Sequence, residues 1–233
     1  MFVSLIRLFL RTLATRGRIA VLGLLALGMV GLALLTGAAD EPQLDTWRLF
    51  SLYALGGLVP VASLVMGSSA FGDLVDDRTL VHLWLRPVKR PILFGAAWVA
   101  TMTMVVPFAV IAPIVALVVA GMPTRTLFIG AASALLGACA YSAVFVSLGL
   151  RVRRALAWGL AYILIWEGAV ANAGAGLAKL AIRLSTRSIA HRGFEGGEIR
   201  YPLPTITAVI VLVSVTLCAL IIGNRWLKRA EVA

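Results

Sequence analysis

Six apolar stretches recur along the chain, at Ile19–Ala39, Leu49–Phe71, Ile92–Val119, Leu127–Leu150, Ala155–Ala178 and Ile206–Ile222, separated by polar connections. Stretches of this length match helices that cross the roughly 30 Å hydrocarbon core of a bilayer. Lipid offers no partner to backbone polar groups, so such stretches predict helices. The expected fold is all-α and integral to the membrane, with six transmembrane helices in one domain covering residues 1–233. Pro107 and Pro113 predict a kink in the long third span, and Pro60 a similar irregularity in the second. Only Arg151-Val152-Arg153-Arg154 separates the fourth span from the fifth, which predicts a tight connection.

The ends of this pattern differ from its middle. From Met1 to Arg18, a helical projection puts Arg7, Arg11 and Arg18 on one side with Ser4, and Phe2, Leu5, Phe9 and Leu13 on the other. Arg16 alone falls on the apolar side. This predicts an amphipathic helix over residues 1–18 lying in the membrane interface. A signal peptide with a cleavage site near Thr36-Gly37-Ala38 is the competing reading. The apolar run after Arg18 exceeds a usual signal core, so anchor plus first span is preferred. After the fifth span, residues 179–204 are too polar for a span and too long for a turn. Leu180, Ile182, Leu184 and Ile189, then Gly193, Gly196 and Gly197, then Pro202 and Pro204, suggest one or two short interfacial or re-entrant helices and a glycine-rich turn. A plain loop is the alternative.

Composition agrees with the pattern. The chain is 61% hydrophobic and 13% charged, about half the charged fraction of a soluble domain, which leaves too little polar surface to coat a globule. The net charge of +11 does not point to nucleic acid, because the bases cluster at the ends of apolar runs and not along one face. Of the 21 Lys and Arg, fourteen fall on the side holding both termini: Arg7 to Arg18, Arg78 to Arg90, Arg151 to Arg154 and Arg225 to Arg229. Seven fall on the other, between Arg48 and Arg200. Positive residues mark the cytoplasmic side, so both termini are expected there, in the inner membrane of a bacterium. Trp47, Trp158 and Trp226 sit where interface anchors belong. Cys139 and Cys218 lie inside apolar runs without a ligand-like spacing and read as packed side chains.

The connection between the second and third spans, residues 73–90, carries the most specific signal. Leu80, Leu83 and Trp84 stand at i, i+3 and i+4, one apolar face of a short helix that Pro87 ends. Such a helix suits docking into a partner's groove, or lying on lipid. The run Gly67-Ser68-Ser69-Ala70-Phe71-Gly72, the acids Asp76 and Asp77, then Arg78-Thr79-Leu80, Leu83 and Pro87-Val88-Lys89-Arg90 resembles the ABC-2 type transporter permease family. That family shows small residues closing the second span, an acid, a Gly-Thr-Leu-like triplet and Pro-x-x-Arg entering the third. Arg78 departs from the family's glycine, and the aspartates from its glutamate.

The resemblance implies a transmembrane subunit, an exporter, that pairs with a second copy or a homologue and binds two cytoplasmic ATPase subunits. Asp76, Asp77, Arg78, Thr79, Leu80, Leu83, Trp84, Arg86 and Pro87 would form the coupling helix against the ATPase. Residues 179–204 would resemble the family's extracellular gate helices. Independently, a phosphate-binding loop needs Gly-Lys followed by Ser or Thr, and none of Lys89, Lys179 and Lys228 follows a glycine. No cofactor is expected in this chain, which is no enzyme on this reading. ATP and Mg would be bound by the partner.

Glu167 is the one acid inside a predicted span. A carboxylate there is costly, so it contacts substrate or a proton, or else makes a structural hydrogen bond between helices. Gly168, Asn172 and Gly176 share the adjacent face, where small residues let helices approach, within the subunit or along a dimer axis. Trp166 could line a cavity. Together Glu167, Trp166 and Asn172 are candidates for a translocation path or helix interface. A proton-coupled secondary transporter using Glu167, and a non-transporting scaffold, are the rival functions. His82 and His191 fall on opposite sides and cannot share a metal. Ser68 and Ser69 have no histidine or lysine base nearby, which argues against an intramembrane protease.

Overall fold

The computed structural model describes residues 2–76, 90–169, 175–194 and 199–229. Every regular element among them is helical. Helix α1 (Phe2–Leu13) is the amphipathic N-terminal element: Leu5, Phe9 and Leu13 are buried against the bundle and the arginines face away. After it come α2 (Arg16–Gly37) and α3 (Pro42–Leu49, a π-helical stretch Phe50–Leu58, then Val59–Asp76). The next helix, α4, runs Arg90–Val106, Pro107–Ile111 and Ala112–Val119, its middle part again π-helical. It is followed by α5 (Thr124–Arg151) and α6 (Ala155–Ala161, with a π-helical continuation Tyr162–Ala169). The chain ends with the short α7 (Ala175–Ala178), α8 (Ile182–Ala190) and α9 (Thr205–Arg229).

Five of these helices, α2, α3, α4, α5 and α9, are long and apolar enough to cross a membrane, so the chain is a multi-pass membrane protein. The fifth expected span is described in part: its apolar helix Ala155–Gly168 is shorter than the other five, α7 lies at its far end, and residues 170–174 between them lie outside the described residues. The expected irregularities are present: wide turns begin at Pro107 and end just before Pro60, where a ring without an N–H breaks the regular ladder. The second span begins earlier than its apolar run, with Pro42 pre-set for a first helical position.

Helices α3 and α5 form the centre and α2 and α9 the periphery. About 61% of the apolar window of each central helix is buried, against 22% for α2 and 17% for α9. The outward residues of α2 and α9, such as Leu24, Leu27, Ile206 and Ile210, are the lipid-facing surface. Lipid is as apolar as leucine, so the centre is held by close approach and not by a hydrophobic drive. The α3–α5 contact shows how. A side chain at Gly67 would stand 3.0 Å from Phe145 Cβ, and one at Gly149 would collide with the Ser68 carbonyl oxygen. Ser147 Oγ lies 2.8 Å from the carbonyls of both Ala143 and Ala219, sharing its one proton between its own helix and α9.

The polar ends of the bundle are organised too. At one end Arg18 grips Asp73 through two bonds of 3.0 and 2.9 Å, tying the start of α2 to the end of α3. There Arg90 donates to the carbonyls of Leu227 and Lys228 at 2.6 and 3.0 Å, capping the last turn of α9. Arg153 and Arg154 join Arg18 and Asp73 around a small cleft. The α5–α6 connection is tight as expected, and Arg154 makes the turn with φ 59°, a conformation uncommon outside glycine. At the far end Gly121, at φ +71°, turns α4 into α5, and Gly37 lies against the backbone of Ala120.

Candidate functional site

The coupling residues Asp77, Arg78, Thr79, Leu80, Leu83, Trp84, Arg86 and Pro87 lie outside the described residues, as does Asn172. Asp76 ends α3 and Arg90 opens α4, so the connection leaves from the end of the bundle that carries Arg18 and Arg154. Ser68 and Ser69 donate to the carbonyls of Leu64 and Val65, at 2.6 and 2.8 Å, so their hydroxyls are spent within their own helix.

Glu167 is at the centre of a defined polar arrangement. The residue is 2% exposed. Oε1 accepts from the backbone N–H of Ile182 at 3.1 Å, and Oε2 from the N–H of Arg183 at 2.9 Å. These are the first two residues of α8, whose amides have no partner within the helix. The position before them is Ala181, which has no side chain able to cap. Glu167 therefore supplies from α6 the cap that α8 lacks, and places negative charge at the positive end of its dipole. Tyr162 Oη donates to Oε1 at 3.2 Å. The two residues are five apart, and the i→i+5 bonding of the π-helical stretch brings them toward one side, where a regular α-helix would not. Tyr162 also packs edge-on against Phe145, at 6.2 Å between ring centres.

The contacts of α8 show its course. Its start is at Glu167, its middle at Gly137, where an added Cβ would stand 2.7 Å from Thr186, and its end near Thr126, which donates to the Gly193 carbonyl. Gly137 and Thr126 are eleven residues apart on α5, about 16 Å of helix. The short helix thus rises from mid-depth to the far end of the bundle. Its upper end is fixed by an aromatic group: the Trp47 ring is 5.4 Å from His191 and 5.3 Å from Phe194. Ser188 Oγ accepts from the N–H of Leu203 at 3.1 Å, which secures the chain before α9.

Beside α8 opens a cavity of about 400 Å³ lined by Leu52, Glu167, Arg183, Arg187, Arg200 and Tyr201, among others. Trp166 does not line it, although it neighbours Glu167. Among the described residues, nothing stands within 4 Å of a Cβ placed at Gly176. Arg183, Arg187 and Tyr162 escaped notice in the sequence. The two arginines, four apart on a short amphipathic helix, were the available signal. Tyr162 gave none, because an α-helical projection separates it from Glu167. No family model matches this chain, and no curated protein is significantly similar to it.

Proposed function

We propose that this chain is the transmembrane permease subunit of an ATP-binding cassette exporter, acting as a homo- or heterodimer with separate cytoplasmic ATPase subunits. The observation that carries the reading is the pairing of two features at opposite ends of the bundle. One is the connection 73–90, with its family-like sequence and amphipathic Leu80-Leu83-Trp84 face. The other is a half-length helix, α8, that follows the fifth apolar segment and reaches back to mid-depth. A permease needs a handle on the ATPase and a gate on the opposite side. Six membrane segments with α6 as the short fifth, α1 in the interface and both termini in the cytoplasm complete the topology, supported by the Lys and Arg bias.

The hydrogen bonds of Glu167 weigh against its acting as the carrier of a proton-coupled transporter, since both oxygens are engaged by backbone amides. The face at Gly176, open among the described residues, is where a second permease would pack. Purification of the tagged chain in mild detergent tests the proposal. An ATP-hydrolysing subunit is expected to accompany it, and Leu83→Asp with Trp84→Asp should release that subunit without disturbing a span. Retention by the double variant would refute the docking face. Absence of any ATPase from the parent complex would refute the permease.

A further inference from the structure

Among the described residues, the cavity beside α8 holds more positive charge than its surroundings answer: Arg183, Arg187 and Arg200 border it, and Glu167 is the one acid among its described lining residues. That acid is committed, both oxygens being held by the amides of α8 and one also by Tyr162. The ion pairs among the described residues are Arg18–Asp73 and Arg48–Asp45, so none of the three arginines is paired with a carboxylate there. The Nε atoms of Arg183 and Arg187 are buried and lack a hydrogen-bond partner. Arg183 and Arg187 are half-buried and Arg200 is exposed; a partly buried guanidinium with an unspent donor is costly, and an anion supplies the missing acceptor in bidentate geometry.

The arginine heads are positioned for this. Gly56, in the π-helical stretch of α3, leaves room for the Arg183 head: an added Cβ would stand 2.7 Å from its Nη2. The Arg187 guanidinium lies over the Trp47 ring at 6.0 Å, and that of Arg200 over Tyr201 at 5.5 Å. Arg183 and Arg187, four apart on α8, face the same space and repel one another, a repulsion that a bound anion would relieve. Leu52, Leu184 and Ile199 complete an apolar side of the same cavity.

We propose that this cavity is an anion site that takes a phosphate-type group on Arg183, Arg187 and Arg200. The group belongs either to the headgroup of an anionic lipid, whose chains would follow the apolar side, or to a free anion. The site is formed within a single chain and does not depend on the permease reading.

The test is thermal unfolding of the purified full-length chain in neutral detergent, followed by intrinsic fluorescence. The probes are dioctanoyl phosphatidylglycerol, dioctanoyl phosphatidylcholine and sodium phosphate. Phosphatidylglycerol is expected to raise the midpoint at concentrations at least tenfold below those needed of phosphatidylcholine. Arg183→Gln with Arg187→Gln should abolish that preference. Arg151→Gln with Arg153→Gln, at the other end of the bundle, should keep it. Stabilisation by sodium phosphate as well assigns a free anion, and by the charged lipid alone a headgroup. Should the double variant not fold, Arg200→Gln is expected to weaken the response about threefold. Equal responses to the two lipids with none to phosphate would overturn the proposal, as would an unchanged response in the Arg183/Arg187 or Arg200 variants. Glu195 and Glu198 lie outside the described residues. If either carboxylate already occupied the arginines, the parent protein would ignore all three probes, which also refutes the site.

Discussion

Replacing Glu167 tests the interpretation of α8 most directly, because its contribution can be counted bond by bond. The carboxylate accepts from the N–H groups of Ile182 and Arg183, both at a helix start with no other acceptor among the described residues. Hydrogen bonds to a charged group contribute about 1.5–3 kcal/mol each. Glu167→Ala removes two, leaving buried amides without partners, and should favour detachment of α8 by about 3–6 kcal/mol. Glu167→Gln keeps one acceptor but turns an NH₂ toward the second amide, and should cost roughly half as much. Detachment can be read by thiol labelling. Ser185 is fully buried on α8, so Ser185→Cys, in a background with Cys139 and Cys218 replaced, reports opening of that helix. Every 1.4 kcal/mol is a tenfold change in the opening equilibrium. Labelling should therefore accelerate by about 10²-fold or more in Glu167→Ala, and less in Glu167→Gln. Equal protection of Ser185→Cys in parent and both variants would refute the capping role and return Glu167 to the candidates for proton or substrate contact.

Other consequences are simpler. Gly149→Ala should lower the thermal midpoint strongly, because its Cβ meets backbone at Ser68, which cannot give way; Gly95→Ala, with open space around it, should leave the midpoint within the error of the same measurement. Gly56→Ala meets the flexible end of Arg183, so it should leave stability close to that of the parent while weakening the phosphatidylglycerol response. Tyr162→Phe removes one hydrogen bond to Glu167 and should cost about 0.5–1.5 kcal/mol in chemical denaturation, with α8 otherwise intact. Arg90→Ala should loosen the end of α9, seen as faster amide exchange at Leu227 and Lys228, whose carbonyls lose their donor.

What the sequence revealed followed periodicity and length. Five spans, the turn at Arg151 to Arg154, the amphipathic α1 and a short helix near Ile182 are each set by local pattern, so they could be read without knowing what packs on what. The cap on α8 could not be read. It joins residues 15 apart through a helix that widens by one residue per turn, and a projection with a fixed 100° step sends Tyr162 away from Glu167. Likewise the collision surface between Gly149 and Ser68 depends on the register of two helices, which their compositions leave open.

The way polar groups are satisfied also predicts which part of the molecule gives first. In the body of the bundle, hydroxyls such as Ser68, Ser69 and Thr216 bond to carbonyls of their own helices, and contact between helices rests on small residues over long stretches. That adhesion is distributed. Helix α8 adds to its packing on Gly137 a few discrete polar anchors: Glu167 at one end, Thr126 and the Trp47 ring group at the other, and Ser188 between α8 and α9. A helix of nine residues is too short to persist alone, so losing one of these anchors should release it as a unit. Amides from Ser185 to Ala190 should therefore exchange well before those of α5 between Ala138 and Val146. Thr126→Ala should speed the first group without touching the second. Exchange of both groups at one common rate would mean that α8 opens only with the whole bundle, and that its few polar anchors are redundant with packing against Gly137.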